Sequence, residues 1–374
     1  MTPDRSAVSI SLAPPRRRRP FRRAAGRGRL RTPLLASAFR ALAAVLGPLS
    51  WAAAQRCGRV IGGLCWVACR RHRRRSLEAL TVAFPRLSPA GRRRLGRACF
   101  RHLGMMLAEG LHLLSRDCAE IGAVVDVEGW EHIDLVRASG RPLILITGHC
   151  GNWELLGAAF NCRGLGMAVV ARPLDEPDFQ EMVAGFRARF GTRAIERGRE
   201  GAARQLLTTL RRGGVLGMLI DQDTRVDGVW VPFFGRPAFT PVGAVKIALR
   251  QGAAVIPTFI ERLPDGRHRV RVLAPVALPD DPREATALLT RAIEEQVRRV
   301  PEQWVWMHRR WRRQPPADRA EAGESGEGGG DQAAEAMQTV ASAGSAGEGG
   351  GHEGRPRVVR ADAAARSGGD EGLR

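Results

Sequence analysis

Residues 143–157 read LILITGHCGNWELLG. Five apolar or β-branched residues, Leu143–Thr147, run into a glycine-bracketed turn, Gly148–Gly151. A helical pattern then opens near Asn152 or Trp153 and continues to Cys162. A continuous apolar run of strand length, ended by glycine and followed by a helix, is the signature of a strand buried on both faces. Outward from it the same alternation repeats. Short runs rich in β-branched residues at Val124–Val127, Met167–Ala171, Val215–Ile220, Val255–Ile260 and Val270–Leu273 predict further strands. Helical stretches are predicted between and after them, near Glu131–Ala138, Phe179–Phe190, Ala202–Arg212, Pro241–Gln251 and Glu284–Val300. Thr240-Pro241 reads as the start of one such helix, with Thr as N-cap and Pro at the first helical position, and Gly252 as its stop. Strands alternating with helices predict an α/β fold, a mostly parallel central sheet with helices on both faces.

Sites in such sheets form beyond the carboxyl ends of the strands. His149 leaves the first quoted strand at that place, and Glu154 follows five residues later. On a continuous helix this spacing would separate them by about 140°. The turn at 148–151 lets the imidazole fold back towards Glu154, a pair suited to base catalysis, with the carboxylate fixing the tautomer. The residues alone favour the plainer reading, a histidine at a helix start beside a glutamate that complements the dipole. Cys150 next to His149 raises a cysteine–histidine nucleophile, but adjacent residues leaving a strand point to opposite sides, which favours a small core thiol. Arg172, followed by Pro173, ends another strand and is placed to hold a phosphate, with a surface ion pair as the rival. Asp221-Gln222-Asp223 ends a third; orienting hydrogen bonds suit these aspartates better than a metal, because no second ligand cluster supports one.

The 374 residues are 44% hydrophobic and 26% charged, which excludes wholesale disorder, and seven cysteines without a C-x-x-C pair exclude zinc modules and disulfide scaffolds. The formal charge is +21, yet Lys246 is the one lysine and the other 58 basic residues are arginine. With 44 Gly, 23 Pro and no Tyr, this points to a GC-rich genome and weakens a nucleic-acid inference drawn from charge alone. Residues 1–33 predict a disordered Arg-rich arm and residues 316–374 a disordered Gly/Glu-rich tail. Between them, residues 34–75 predict membrane-anchoring helices ahead of a domain at 76–315, with a helical lead-in at 76–122 and the α/β part at 123–315. The uncharged stretch Ala41–Gln55 spans about 22 Å as a helix, short of the roughly 30 Å hydrocarbon core. Pro48, Arg56 and Arg59 interrupt it further. A monotopic, kinked insertion is expected before a single crossing, with a buried helical pair as the alternative. Two aromatic segments stand out. Trp230, Phe233, Phe234 and Phe239 in GVWVPFFGRPAFTP (228–241) predict either an acyl groove or an ordinary loop core. PEQWVWMHRRWRRQP (301–315) mixes Trp304, Trp306 and Trp311 with arginines, as expected at a membrane interface or on nucleobases.

Taken in order, GHCGNWE, ARPLD, DQD, VPFFG and TP, Pro257 and PEQWVWMHRRW, with FPRLSP upstream, resemble the bacterial lipid A biosynthesis (lauroyl/myristoyl) acyltransferases over about residues 40–315. The resemblance implies a glycerolipid-acyltransferase-like fold on the cytoplasmic face of the bacterial inner membrane. It implies transfer of a fatty acyl chain from acyl carrier protein, or acyl-CoA, to a hydroxyl of a lipid acceptor, with no cofactor and no metal. His149 and Glu154 match the H-x4-D/E motif and so carry its general base and supporting acid. Arg172 matches the arginine of the second motif, and Asp221 and Asp223 fall in the third block. Arg309 and Arg310 are expected to orient phosphates, and the basic domain to steer an acidic carrier protein. Trp304 stands where the family has Tyr, and the arm and tail have no counterpart. Rival expectations are another lipid acceptor, a lysophospholipid or a phosphatidylinositol mannoside, and, from a different class, an Arg-rich nucleic-acid-binding protein.

Overall fold

A computed structural model describes residues 32–174 and 177–315; the predicted arm at 1–33 lies outside the described residues but for its last two, which open α1, and the tail from 316 lies outside them. Four helices lead in: α1 (Thr32–Leu46), α2 (Trp51–Ala68), α3 (Arg70–Ala83) and α4 (Pro89–Leu113). The uncharged run is therefore two helices, broken at Gly47-Pro48, with Ser50 capping α2 through Ala53 N. α3 stops before Pro85, and α4 starts with Ser88 as N-cap and Pro89 at its first position.

α2 lies against α4 at backbone contact. A Cβ at Gly62 would sit 2.1 Å from the Phe100 carbonyl, and one at Gly104 would sit 2.2 Å from that of Gly58. Only glycine permits that approach. Of the two anchoring modes, the single crossing, the less expected one, finds no helix for it: among the described residues none is long and apolar enough to cross a membrane. The inner face of the apolar stretch is occupied by α4, and Arg56 and Arg59 interrupt it on the outside. The outward face still carries Val60, Leu64 and Val67, each more than 60% exposed, with Val45 of α1 similarly bare.

The α/β part follows as α5 (Cys118–Val124), β1 (Val125–Glu128), α6 (Trp130–Ala138), β2 (Leu143–Thr147), α7 (Trp153–Cys162), β3 (Ala168–Ala171), α8 (Pro177–Arg189), β4 (Arg193–Glu196), α9 (Ala202–Arg211) and β5 (Val215–Leu219). It closes with β6 (Gly228–Phe233), β7 (Arg236–Pro241), α10 (Gly243–Gln251), β8 (Ala254–Arg262), β9 (His268–Val272) and α11 (Pro282–Arg299). A disulfide between Cys118 and Cys162 joins α5 to α7. The main sheet has the order β1-β9-β8-β2-β5-β3-β4, parallel except where β9 runs antiparallel to β8. All five residues of β2 are buried, and Leu143 and Leu145 share a core with Leu155, Phe160 and Phe186 of α7 and α8. From β2 the chain moves towards β4; from β5 it moves back towards β8. With right-handed crossovers that reversal sends α7 and α10 to opposite faces and opens a crevice between the carboxyl ends of β2 and β5.

Two expectations change. The segment 228–241 is a β-hairpin, turned at Phe234 (φ 52°) and Gly235 (φ 69°), and Thr240-Pro241 belongs to β7, so α10 starts two residues later with Val242 as its cap. Pro232 faces Pro237 across this two-stranded ribbon, where a missing N–H is tolerated and a strand is hard to read. Phe233 and Phe234 are core residues packed on Trp304 and Trp306. Those two tryptophans are themselves 1% and 0% exposed, so they do not stand at a membrane interface. Their indole N–H groups explain why: Trp304 donates to Asp221 and Trp306 to the Pro301 carbonyl, bonds that make a buried tryptophan acceptable.

Candidate active site

β2 and β5 pair in parallel with Thr147 opposite Leu219, so the residues just beyond them meet in the crevice. The turn after β2 leaves no latitude. A Cβ at Gly148 would lie 2.9 Å from Ile293 of α11, and Gly151 (φ 59°) would drive one to 1.9 Å from the Ile260 carbonyl. The Gly151 amide donates to Gln303 O (2.8 Å), and Cys150 bridges to Trp304. Between these fixed points His149 faces Asp221.

The Asp221 carboxylate accepts from His149 N (2.7 Å) and Trp304 Nε1 (2.8 Å) on Oδ2, and from His149 Nδ1 (2.7 Å) on Oδ1. Burial alone would raise its pKa; the charge of His149 and these hydrogen bonds outweigh that and hold the carboxyl well below the usual range. An ionised carboxylate only accepts, so Nδ1 carries the imidazole proton and Nε2 keeps its lone pair. Nε2 makes no hydrogen bond among the described residues. The ring meets Trp153 edge-on at 5.0 Å.

His149 lines a cavity of about 1250 Å³, above the roughly 300–1,000 Å³ of common small-molecule pockets. One wall is apolar, built by α1, α4 and α8, with Phe39 stacked on Phe179 beside Leu103, Leu107 and Met182. The other is basic: Arg172 and Arg197 just past β3 and β4, Arg187 of α8, Arg225, Lys246 of α10 and Arg312 of the C-terminal segment. The arrangement can hold an alkyl chain at one end and an anion at the other, with a proton acceptor between.

Of the residues singled out in the sequence, His149 and Asp221 are brought together. Glu154 is not. It lies in the first turn of α7 and takes a two-pronged ion pair from Arg187 of α8 (2.6 and 2.8 Å), so the expected His149–Glu154 hydrogen bond is replaced by His149–Asp221. The spacing misleads because Trp153 occupies the ground beside the ring. Arg172 stands exposed at the cavity rim, level with Arg197 across the β3–β4 register. Asp223 is buried and holds Arg312 (3.0 Å) and Arg313 (3.1 Å), bracing the C-terminal segment. Arg310 is corrected: fully buried, it donates to Phe239 O and Thr240 Oγ1 and lies over Phe233, which fixes the hairpin and keeps it from a phosphate. Arg309 is exposed and does not line the cavity; Arg312 does. Among the described residues no three metal-ligating side chains converge. Three further residues of the cavity are not expected from the sequence. Arg187 and Arg197 carry no local signal, and His308, which also lines the cavity, is pushed down to about 4 by burial.

Cys150 is 1% exposed, and burial, with Asp221 nearby, pushes its thiol well above the ordinary value. It is a thiol at neutral pH and a poor nucleophile. Cys150→Ser is expected to keep the transfer rate within about threefold, with no acyl-enzyme trapped on mass spectrometry; a covalent adduct at this position would reverse the assignment.

The sequence profile of the family described as bacterial lipid A biosynthesis acyltransferase matches residues 29–313. Over 242 residues (63% of this chain and 78% of the relative) the chain is 29% identical to the lipid A biosynthesis lauroyltransferase of Escherichia coli K12. It is 27% identical to the lipid A biosynthesis palmitoleoyltransferase of the same strain over 243 residues, 63% and 77% of the two chains. A phosphatidylinositol mannoside acyltransferase of Mycobacterium tuberculosis (strain CDC 1551 / Oshkosh) is 30% identical over 134 residues, 35% of this chain and 42% of that one.

Proposed function

The chain belongs to the bacterial lipid A biosynthesis acyltransferase family, and from that premise we propose that it moves a fatty acyl chain from an acyl carrier protein thioester, or acyl-CoA, to a hydroxyl of a lipid A precursor. That it is an acyltransferase for a lipid acceptor follows from the family; the donor, the acceptor and the mechanism are our reading. The observation that carries the mechanism is the His149 Nδ1–Asp221 Oδ1 bond of 2.7 Å at the wall of a cavity with one apolar and one basic side.

The acceptor hydroxyl donates to His149 Nε2. As its oxygen attacks the thioester carbonyl, the proton passes to Nε2 and Asp221 balances the imidazolium. Collapse of the tetrahedral adduct expels the thiolate, which takes the proton back from Nε2, leaving an ester, a free thiol and neutral His149. Base catalysis of this kind contributes about 10²–10⁴-fold. His308, neutral at physiological pH, adds no competing positive charge beside the imidazolium. Arg172, Arg197 and Arg312 supply the positive wall for phosphate groups of either substrate. The test is transfer from labelled acyl carrier protein and from acyl-CoA to a panel of lipid A precursor, lysophospholipid and phosphatidylinositol mannoside. Transfer to neither lipid A precursor nor any other lipid hydroxyl would end the proposal.

Glu154 acts in this reading through Arg187. If the pair is one unit, Glu154→Ala and Arg187→Ala are not additive: the double variant loses about as much activity as the worse single variant, with a coupling energy of about 0.5–3 kcal/mol in a double-mutant cycle. Fully additive losses would show that Glu154 acts on its own.

The bare face of α2 is the part we assign to the membrane surface, on the cytoplasmic side of the inner membrane. Val60, Leu64 and Val67 lie within two helical turns, flanked by Arg56, Arg59, Arg70 and Arg71 for anionic headgroups. Burying a leucine side chain is worth about 1.5–3 kcal/mol, so Leu64→Asp should weaken sedimentation with anionic vesicles at least about tenfold. Unchanged binding would place the contact elsewhere.

A further inference from the structure

Beneath the turn that carries His149 lies a buried polar cluster that the mechanism above does not use. Glu109 of α4 is fully enclosed. Its Oε1 accepts from Gln55 Nε2 (2.7 Å) and Arg262 Nε (2.9 Å), and its Oε2 from Arg262 Nη2 (2.8 Å) and Asn152 Nδ2 (2.9 Å). His268 Nε2 stands 3.3 Å from Oε1. Burial alone would raise the Glu109 carboxyl; Arg262 and His268 outweigh it and hold the group well below the usual range, so the hub is a carboxylate.

Two arms of this hub end on the turn. Asn152 holds Glu109 with its amide nitrogen while its Oδ1 caps α7 at Leu155 N (3.1 Å). Arg262, held by Glu109, donates to His102 Nδ1. A guanidinium has no acceptor, so Nδ1 must accept and the His102 proton sits on Nε2, which donates to the Gly151 carbonyl (3.2 Å). His102 is 2% exposed, and burial and Arg262 keep it neutral, as that chain of donors needs. Gly151 and Asn152 are the residues immediately after the His149-Cys150 pair. Packing α4 under the sheet does not explain a buried ion pair, since apolar side chains of similar volume serve that purpose as well or better. A carboxylate with both arms on one turn explains it.

We infer that Glu109 is a positioning residue for the reaction: through Asn152 on one side and Arg262–His102 on the other it fixes the turn 149–152, and so the direction in which His149 presents Nε2 to the cavity. The inference rests on His149 being the base, and the experiment separates the two. Asn152→Asp keeps an oxygen to cap α7 but replaces the donor to Glu109 with a second carboxylate oxygen. Misplacing a reacting group by about 1 Å costs up to about 10²-fold, so kcat of the full-length enzyme should fall about 10–100-fold. The assay uses labelled lauroyl-acyl carrier protein and a lipid A precursor. KM for the donor should stay within about twofold, because the Asn152 side chain, though it borders the cavity, is buried and spends its polar atoms on Glu109 and the α7 cap. Glu109→Gln sets an amide N–H against at least one of the donors that each carboxylate oxygen now accepts, and should lower kcat by a similar factor.

A purely structural role would lower the melting temperature without changing kcat of the folded fraction. Wild-type kcat in either Asn152→Asp or Glu109→Gln overturns the positioning role. If Asn152→Ser is used because Asn152→Asp does not fold, its hydroxyl can cap α7 but stands one atom short of the amide nitrogen that reaches Glu109: wild-type kcat there overturns the role, and a loss of about tenfold sustains it. An inactive His149→Ala beside a fully active Asn152→Asp sinks this inference alone. An active His149→Ala sinks the base assignment, and the positioning role falls with it.

Discussion

Asp221→Asn is expected to lower the rate of acyl transfer by about 10³–10⁴-fold while leaving the fold intact. The argument is one of donors and acceptors. Asp221 Oδ2 receives two N–H groups, from the His149 backbone and from the Trp304 indole, so in the variant that position must remain oxygen. The new amide nitrogen is therefore forced to the Oδ1 position and donates to His149 Nδ1. An imidazole that accepts at Nδ1 carries its proton on Nε2, facing the acceptor hydroxyl, and has no lone pair there to take a proton. The variant also leaves an imidazolium without its counter-charge. Asparagine is nearly the same shape as aspartate, so cavity and packing are preserved and the loss falls on kcat. Nitrogen NMR of labelled His149 should report the exchange of tautomers. A variant that works at the wild-type rate would mean that Asp221 merely braces the turn.

The second large effect is His149→Ala. With no base at Nε2, transfer should fall by at least about 10²–10⁴-fold. Folding and vesicle binding should be unaffected, since the side chain makes one hydrogen bond and is partly exposed. The cavity reaches the ring, so free imidazole has a route to the place the side chain vacates and should restore part of the rate. Residual activity near wild type, with or without imidazole, would remove His149 from the chemistry.

The strand–turn–helix at 143–162 is legible in the sequence because its parts announce themselves locally: an apolar run, two glycines and a helix start. Those parts suffice to put His149 just beyond the carboxyl end of a buried strand. Its partner is legible only in kind. Asp221 reads as a polar group ending another strand and suited to orienting hydrogen bonds, but its pairing with His149 depends on β2 and β5 being neighbours, a fact carried by sheet order and not by spacing. Glu154, five residues away, is the nearer candidate in sequence and belongs to Arg187. Trp304 and Trp306 mislead for a related reason. Tryptophan among arginines suits a membrane surface, yet here each indole has an internal acceptor, and the contacts that bury both rings come from Phe84 and from the hairpin 228–241. That hairpin escapes a sequence pattern because its prolines and glycine look like loop.

β5 is made after β2 and β3 but lies between them. While the ribosome has delivered only the first two hundred or so residues, β2 lacks both of its neighbours, β5 and β8, and β3 has only β4, so largely apolar edges stand unpaired. Such edges invite pairing with other chains. Truncation anywhere upstream of Val215 should therefore yield a product that aggregates or is captured by chaperones, and random nonsense alleles of this protein should be as costly to proteostasis as they are to catalysis.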